Sequence, residues 1–384
     1  MKVAMIIEAW HPIWGGGQSH VFELSKKLIS NHGCKIDVFV MNLQDENGNI
    51  QKNIEEFEDG NLRIIRTGKA RNFNSFTDRL SWIFEVVSEV KSNHKKEKYS
   101  LIHAHANLPG IPGKILRDQL KIPVIYTIHG NGANSMVDMY GKNLKSLILS
   151  IIENFLHTKI KYDAEISVDR LTSEKPNKNK RISVISNGVD IEKFENVNIA
   201  KDSTKIKFIF VGRLHKQKGL DYLLTAVSKI KNELPINAEF HIIGSGELEK
   251  HLMQKCIDLD IKNLFKFRGK IYNADLIREY KSSNIFILPS LYEGQPLTLL
   301  EAWAARLPVI ATDVGDNKYF VKNEINGYLV PAKNITALSK AILKSLNNVY
   351  IQTMGENGFD FVKNNHTWDI VAKQTYEIYS KTLQ

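Results

Sequence analysis

Short apolar runs and longer amphipathic stretches alternate along the whole 384-residue chain. Val3–Ile7, Ile36–Val40, Leu62–Ile65, Leu101–Ala104, Val124–Ile128 and Ala164–Val168 are apolar enough to be strands buried on both faces. Between them lie helical patterns such as Gln18–Ser30 and Leu144–Ile160. In the second of these, Leu144, Leu147, Ile148, Ile151, Ile152, Phe155 and Leu156 recur at the i, i+3, i+4 spacing of one helix face. Strand and helix taking turns predicts an α/β fold, a parallel sheet with helices on both sides.

The pattern thins over 169–205, where Lys, Asn, Ser and Pro dominate, and a domain boundary is expected near Asp190. A second α/β series follows: strands at Lys207–Val211, Glu239–Ile243, Phe265–Arg268, Ile285–Leu288 and Val309–Ala311, with helices near 218–232, 246–258, 274–282 and 297–305. The expected domains are 1–190 and 191–365, each Rossmann-like, with a last helical pattern at 366–384. Two doubly wound sheets in tandem would turn their strand C-terminal ends toward a shared crevice, where such sheets bind ligands.

Composition narrows the function. Charged residues at 24% and apolar residues at 43% describe a globular protein. The formal charge of +10 is spread evenly, and no aromatic-studded basic motif is present, so nucleic acid is not an expected partner. Cys34 and Cys256 stand far apart, which argues against a disulfide framework or a cysteine zinc site and fits a cytoplasmic protein. The opening MKVAMIIEAW breaks at Glu8 and His11-Pro12 without a cleavage site, and is expected to be a strand rather than a leader.

Three segments carry candidate chemistry. Gly15-Gly16-Gly17 follows the first strand and opens a helix, either for turn geometry or to let an anion approach the backbone. Gly212-Arg213-Leu214 follows the first strand of the second series, and Lys218-Gly219 precedes its helix. Two cations there are either a solvated basic turn or a site for a diphosphate. In Pro289-Ser290-Leu291-Tyr292-Glu293-Gly294-Gln295-Pro296-Leu297, Glu293 lies in a loop and Glu301 in the following helix. Paired carboxylates can accept hydrogen bonds from the hydroxyls of sugar and ribose. Asp258-x-Asp260 ends a helix without convergent carboxylates and is expected to be solvated. His103 and His105 share one strand face, but no third metal ligand is evident from the sequence; a cleft-lining or packed pair is expected.

Taken in order, these segments resemble the retaining GT-B glycosyltransferases of family four, the glycogen-synthase-like and mannosyltransferase-like group. Glu293-x7-Glu301 has the spacing of that family's E-x7-E motif, and Val211–Leu214 with Lys218-Gly219 resembles its Gly-Arg-x4-Lys-Gly segment. Gly15–Gly17 with His20–Leu24, Thr127-Ile128-His129-Gly130, and Ile185-Ser186-Asn187-Gly188-Val189-Asp190 resemble three further motifs. The likeness runs from about residue 3 to 380.

The resemblance implies a GT-B architecture whose first domain meets the acceptor, whose second binds the donor, and whose 366–384 helix crosses back to the first. It implies catalytic roles for Arg213 and Lys218 on the donor diphosphate, for Glu293 on the sugar hydroxyls, and for His129 near the reacting sugar. Glu301 would hold the ribose, while Gly16, Gly17, Gly212, Ile271, Gly294, Gln295, Pro296 and Leu297 would line the donor through their backbones, and His103 and His105 would lie on the acceptor side. Arginine and lysine would do the charge work of a metal, so neither cofactor nor metal is expected.

The implied reaction is transfer, with retention, of a hexose or N-acetylhexosamine from a nucleotide-diphosphate sugar, UDP favoured over GDP. The acceptor is a hydroxyl of a glycan or lipid-linked molecule in cell-surface glycan or glycolipid synthesis. Two departures touch donor identity: Tyr319 stands where the family often has a glutamate, and the loop after Glu293 reads Gly-Gln-Pro-Leu-Thr. Residues 61–98, with Phe73, Phe76, Trp82 and Phe84 among their cations, and Leu144–Ile160 with flanking Lys142, Lys145, Lys159 and Lys161, could rest on the inner face of an anionic membrane or be ordinary core-facing helices. A nucleotide-sugar epimerase and a non-catalytic nucleotide-sugar-binding module are the competing readings.

Overall fold

The computed structural model describes residues 1–45, 47–71, 76–106, 108–130, 160–170 and 182–384. The expected helix Leu144–Ile160, with Lys142, Lys145 and Lys159, and also Phe73, lies outside the described residues apart from Ile160 itself. The chain forms two compact units: Met1–Asn187 together with Trp368–Gln384, and Gly188–Thr367.

The first unit holds strands β1 (Lys2–Ile6), β2 (Lys35–Leu43), β3 (Ile54–Phe57), β4 (Leu62–Arg71), β5 (Leu101–His105), β6 (Val124–Ile128), β7 (Ala164–Ser167) and β8 (Ile182–Val184). They form one sheet in the order β3-β4-β2-β1-β5-β6-β7-β8. Every pairing is parallel except β3 with β4, which is antiparallel. The sequence pattern predicts no strand at β3. Its four residues, Ile-Glu-Glu-Phe, are largely exposed, and an edge strand of that length has no apolar run to announce it. β1 and β5, by contrast, are buried at every position, as central parallel strands require.

Helix Gly16–His32 follows β1 and ends at Gly33, whose left-handed backbone (φ 61°) lets its N–H close back on Ile29. Against it packs the C-terminal helix Trp368–Leu383, which buries Trp368, Val371, Ala372, Thr375 and Tyr379. Lys27 pairs with Asp369 at 3.0 Å, and the His32 and Tyr376 rings stack at 4.2 Å.

The second unit is a parallel sheet of β9 (Ile206–Val211), β10 (Ala238–Ile243), β11 (Phe265–Gly269), β12 (Ile285–Leu288), β13 (Val309–Thr312) and β14 (Gly327–Val330). Its order is β11-β10-β9-β12-β13-β14. Helix Leu220–Ile230 buries Leu220, Leu223, Leu224, Ala226, Val227 and Ile230, the amphipathic stripe that seats it on the sheet. The helix expected from residue 246 starts at Glu249. Gly244–Leu248 is held as a loop instead: Leu214 N–H donates to Ser245 O at 2.9 Å and Leu248 N–H to Leu214 O at 3.1 Å. No described helix is long and apolar enough to cross a membrane.

Candidate active site

In each unit the strand order reverses once, between β1 and β5 in the first and between β9 and β12 in the second. At such a reversal the connections leave in opposite directions and open a crevice outside the strand C-termini, where ligands bind. The segments singled out in the sequence follow those strands.

In the second unit, two loops at the reversal are tied into one platform. Leu291 N–H donates to Gln217 O at 2.7 Å, and Gln217 Nε2 donates to Tyr292 O at 3.0 Å. Gly219 is left-handed (φ 65°), and a Cβ there would lie 2.0 Å from Pro289 O, so only glycine lets the loops meet. Lys218 Nζ donates to Glu293 Oε1 at 2.6 Å, and Ser290 Oγ donates to the same oxygen at 2.6 Å. Glu293 is buried, so its charge is held by these two partners. Arg213 is exposed on the same platform, with no side-chain partner among the described residues.

Glu301 sits one helix further on, and the hydroxyl of buried Tyr280 donates to its Oε2 at 2.8 Å, fixing the carboxylate's orientation. Burial and the Glu301 charge push the Tyr280 phenol well above its ordinary range, so it remains a donor. Gln295 and Pro296 are buried, and Gly294 and Leu297 half-buried, along the turn into helix Leu297–Ala304. Gly315, left-handed at φ 55°, brings the next loop against this one: Asp316 N–H donates to Gly294 O at 2.9 Å. A Cβ on Gly315 would sit 2.1 Å from Glu293 O. Gly315→Ala is therefore expected to destabilise the protein by about 2–4 kcal/mol, left-handed strain plus backbone overlap. Urea unfolding checks it; an unchanged midpoint would contradict the packing described.

Ile271 follows β11, on the same side of β9 as β10, and packs half-buried against the core of this unit. Gly212 abuts the Phe210 ring, 3.1 Å from an added Cβ. The Asp258 and Asp260 carboxylates go separately to Gln254 at 2.9 Å and Lys231 at 2.8 Å, and form no metal pair.

Three helices open at these reversals without a side-chain cap: Gly16–His32 after Gly15, Leu220–Ile230 after Gly219, and Leu297–Ala304 after Pro296. The missing cap is not peculiar to them: Asp190 and Asn334 cap their helices, whereas Gly110–Leu120, Glu249–Asp258, Asn273–Lys281 and Ile351–Asn365 also open without a side-chain cap. Uncapped N-termini leave N–H groups and a partial positive charge facing outward, suited to phosphate. Neither Gly15 nor Gly17 has positive φ, and a Cβ on Gly17 would make only ordinary contact, 3.8 Å from Ile7.

The first unit also gathers four histidines at its reversal. His103 is fixed on both ring nitrogens, 2.6 Å from the Tyr379 hydroxyl and 2.6 Å from Thr127 Oγ1. His105 Nδ1 lies 3.1 Å from His129 Nε2. His20, from the first helix, donates through Nδ1 to Asn187 Oδ1 at 2.8 Å. Burial holds all four neutral: His20 drops to about 4 and His103 to about 3, with His105 and His129 well below the ordinary value. Neighbouring imidazoles reinforce burial at His103, His105 and His129, while the Asn187 hydrogen bond opposes it at His20. A third ring beside the His103–His105 pair, not evident in the sequence, is thus supplied by the fold. The orienting roles of Ser290, Tyr280 and Asn187 do not follow from the sequence: Ser290 and Asn187 stand within quoted motifs without an assigned role, and nothing marks Tyr280.

Fold and site together define a two-domain α/β protein of GT-B architecture. A model of glycosyl transferases group 1 matches residues 191–360, and a model of glycosyltransferase family 4 matches residues 14–193. The UDP-Gal:alpha-D-GlcNAc-diphosphoundecaprenol alpha-1,3-galactosyltransferase of Escherichia coli is 33% identical over 299 residues, covering 70% of this chain and 74% of its own. Among solved structures, sucrose-phosphate synthase from Thermosynechococcus elongatus superposes with a TM-score of 0.85 at 22% identity, covering 99% of this chain and 98% of its own. HepE of Anabaena in complex with UDP-glucose does so with a TM-score of 0.75 at 17% identity, covering 99% and 100%. The chain belongs to the group 1, family 4 glycosyltransferases.

Proposed function

We propose that this glycosyltransferase moves a hexose or N-acetylhexosamine from a nucleotide-diphosphate sugar, UDP favoured over GDP, to a hydroxyl of a glycan or lipid-linked acceptor, with retention and without a metal. The observation that carries the reading is the joined platform of Arg213, Lys218 and Glu293 beside Glu301, set at uncapped helix N-termini. Arg213 and Lys218 neutralise the diphosphate and stabilise it as a leaving group. Glu301, oriented by Tyr280, accepts from the ribose hydroxyls, and Glu293 accepts from the sugar. Gly212, Ile271 and Gly294–Leu297 approach the donor through their backbones, and Gly16 and Gly17 leave N–H groups open to phosphate. His129 contacts a sugar hydroxyl, with His103 and His105 behind it on the acceptor side.

In the step proposed, the C1–O bond to the diphosphate breaks as the acceptor oxygen bonds to C1 from the same face. The acceptor's proton passes to a departing phosphate oxygen. No side chain need act as base, and the charge that develops falls on Arg213 and Lys218. The Escherichia coli relative's name, a UDP-galactose enzyme acting on a diphosphoundecaprenol-linked sugar, supports UDP and a lipid-linked acceptor. Contact with an anionic membrane belongs to the same proposal. Of the stretch expected to make it, Trp82 is buried with Nε1 donating to Thr67, while Arg63, Arg71 and Arg79 pair with Asp37, Glu85 and Glu8. Phe84, 73% exposed, is the aromatic ring it leaves outward among the described residues.

The test is slow hydrolysis of α-linked UDP-sugars in excess EDTA, followed by proton NMR of the first sugar released. Release of the α-anomer at an EDTA-independent rate is expected; a β-anomer would refute retention, and loss of turnover in EDTA would refute metal independence.

A further inference from the structure

The geometry points to a binding site for a divalent transition-metal ion, Zn²⁺ first, formed by His20, His105 and His129. These three residues come from the first helix, the end of β5 and the end of β6, and each brings a ring nitrogen within 4.8 Å of the others. Zinc binds imidazole nitrogen at about 2.0–2.1 Å, which puts two ligand nitrogens of a tetrahedral ion about 3.3 Å apart. His105 Nδ1 and His129 Nε2 already stand 3.1 Å apart. That contact is a hydrogen bond with one shared proton, and an ion can take the proton's place with small ring movements.

His20 is set for the same task. Its Nδ1–H donates to the Asn187 amide oxygen, an atom that can only accept, so the lone pair lies on Nε2. A ligating histidine whose other nitrogen donates to an oriented oxygen is the usual arrangement around protein-bound zinc. His105 Nε2 is buried with no hydrogen-bond partner among the described residues, so the ring's polar contact is through Nδ1, the atom that faces His129. His103 is excluded from the ligand set because both of its nitrogens are engaged by Tyr379 and Thr127. It lies against His105, tilted by 36° with ring centroids 3.9 Å apart, and packs that ring in place.

An all-imidazole set selects Zn²⁺, Co²⁺, Ni²⁺ or Cu²⁺ over Mg²⁺ and Ca²⁺, which prefer oxygen. Three protein ligands leave a fourth position open to water or a small anion. The site goes beyond the proposed transfer, in which no metal takes part. The ion engages the His129 ring that transfer needs free, so it inhibits rather than assists.

The test uses binding alone, so it stands or falls apart from the transferase reading. The full chain, stripped with EDTA and desalted, is titrated with Zn²⁺ against a chromophoric chelator, and with Co²⁺ by visible absorption. One ion per chain is expected, with the intense spectrum of four-coordinate Co²⁺. His20→Gln and His105→Gln should each weaken binding at least tenfold, and His251→Gln, an exposed histidine in the other unit, should leave it unchanged. Circular dichroism establishes that the variants fold. Asn187→Ala, which keeps all three rings, should weaken binding by about tenfold or more if they do not. No saturable binding, or binding unaffected by these three substitutions, would overturn the assignment.

Discussion

Arg213→Ala is expected to lower kcat/KM for the nucleotide sugar by about 10²–10³-fold, the usual loss when one charge-stabilising donor is removed. The melting temperature should not change. The two readouts separate because of where the guanidinium sits: it is exposed, with no protein partner among the described residues to lose. Lys218→Ala should cost as much activity and also destabilise the fold, since Glu293 is buried and accepts from Lys218 at 2.6 Å. Left with the Ser290 hydroxyl alone, that carboxylate loses its counter-charge, a cost of roughly 1–3 kcal/mol. Steady-state kinetics beside thermal melts of both variants check the pair. Equal destabilisation by both, or full activity in Arg213→Ala, would show that the platform is structural rather than catalytic.

The second large effect is acid sensitivity seated in the histidine cluster. His20, His103, His105 and His129 are neutral in the fold, while in the unfolded chain each titrates near the ordinary 6.5. The unfolded state therefore binds more protons below that value. Stability is fully present above about pH 6.5 and falls as the pH drops toward the folded-state values. His20 alone, moved from 6.5 to about 4, accounts for about 3 kcal/mol across that window. His103, lowered further, and His105 and His129, shifted the same way, add to that loss, so stability should fall steeply as the pH drops below about 6.5. Melts in EDTA at pH 7.5, 6.5 and 5.5 should show a steep decline, and a flat profile to pH 5 would contradict the buried, neutral cluster.

What the sequence discloses depends on how far apart the cooperating residues lie. β1, β9 and β12 are legible because a central strand covered on both faces reads as a nearly continuous apolar run, broken only at its start by Lys2 in β1 and Lys207 in β9. β3 is not, because its polar residues reflect an exposed edge. The start of helix Glu249–Asp258 was misplaced for a tertiary reason. Gly246 passes so close to Leu214 O that a Cβ would lie 2.4 Å away, and the segment bonds to that loop instead of coiling. In the site, Glu293 and Glu301 were legible from their spacing, and Arg213 and Lys218 from flanking glycines. Tyr280, which orients Glu301, comes from a helix before β12, and nothing in its local sequence marks it. His103 and His105 share a strand face by period-two spacing, whereas His20 and His129 reach them only through the strand order β1-β5-β6.

Calorimetric titration of UDP and GDP into the EDTA-treated protein, repeated on Glu301→Ala and Arg213→Ala, tests the central claim most directly. Metal-free binding of UDP, tighter than that of GDP and weakened at least tenfold in both variants, is the predicted result. Binding of neither nucleotide, or binding that ignores both substitutions, would remove the donor site from this platform and contradict the account.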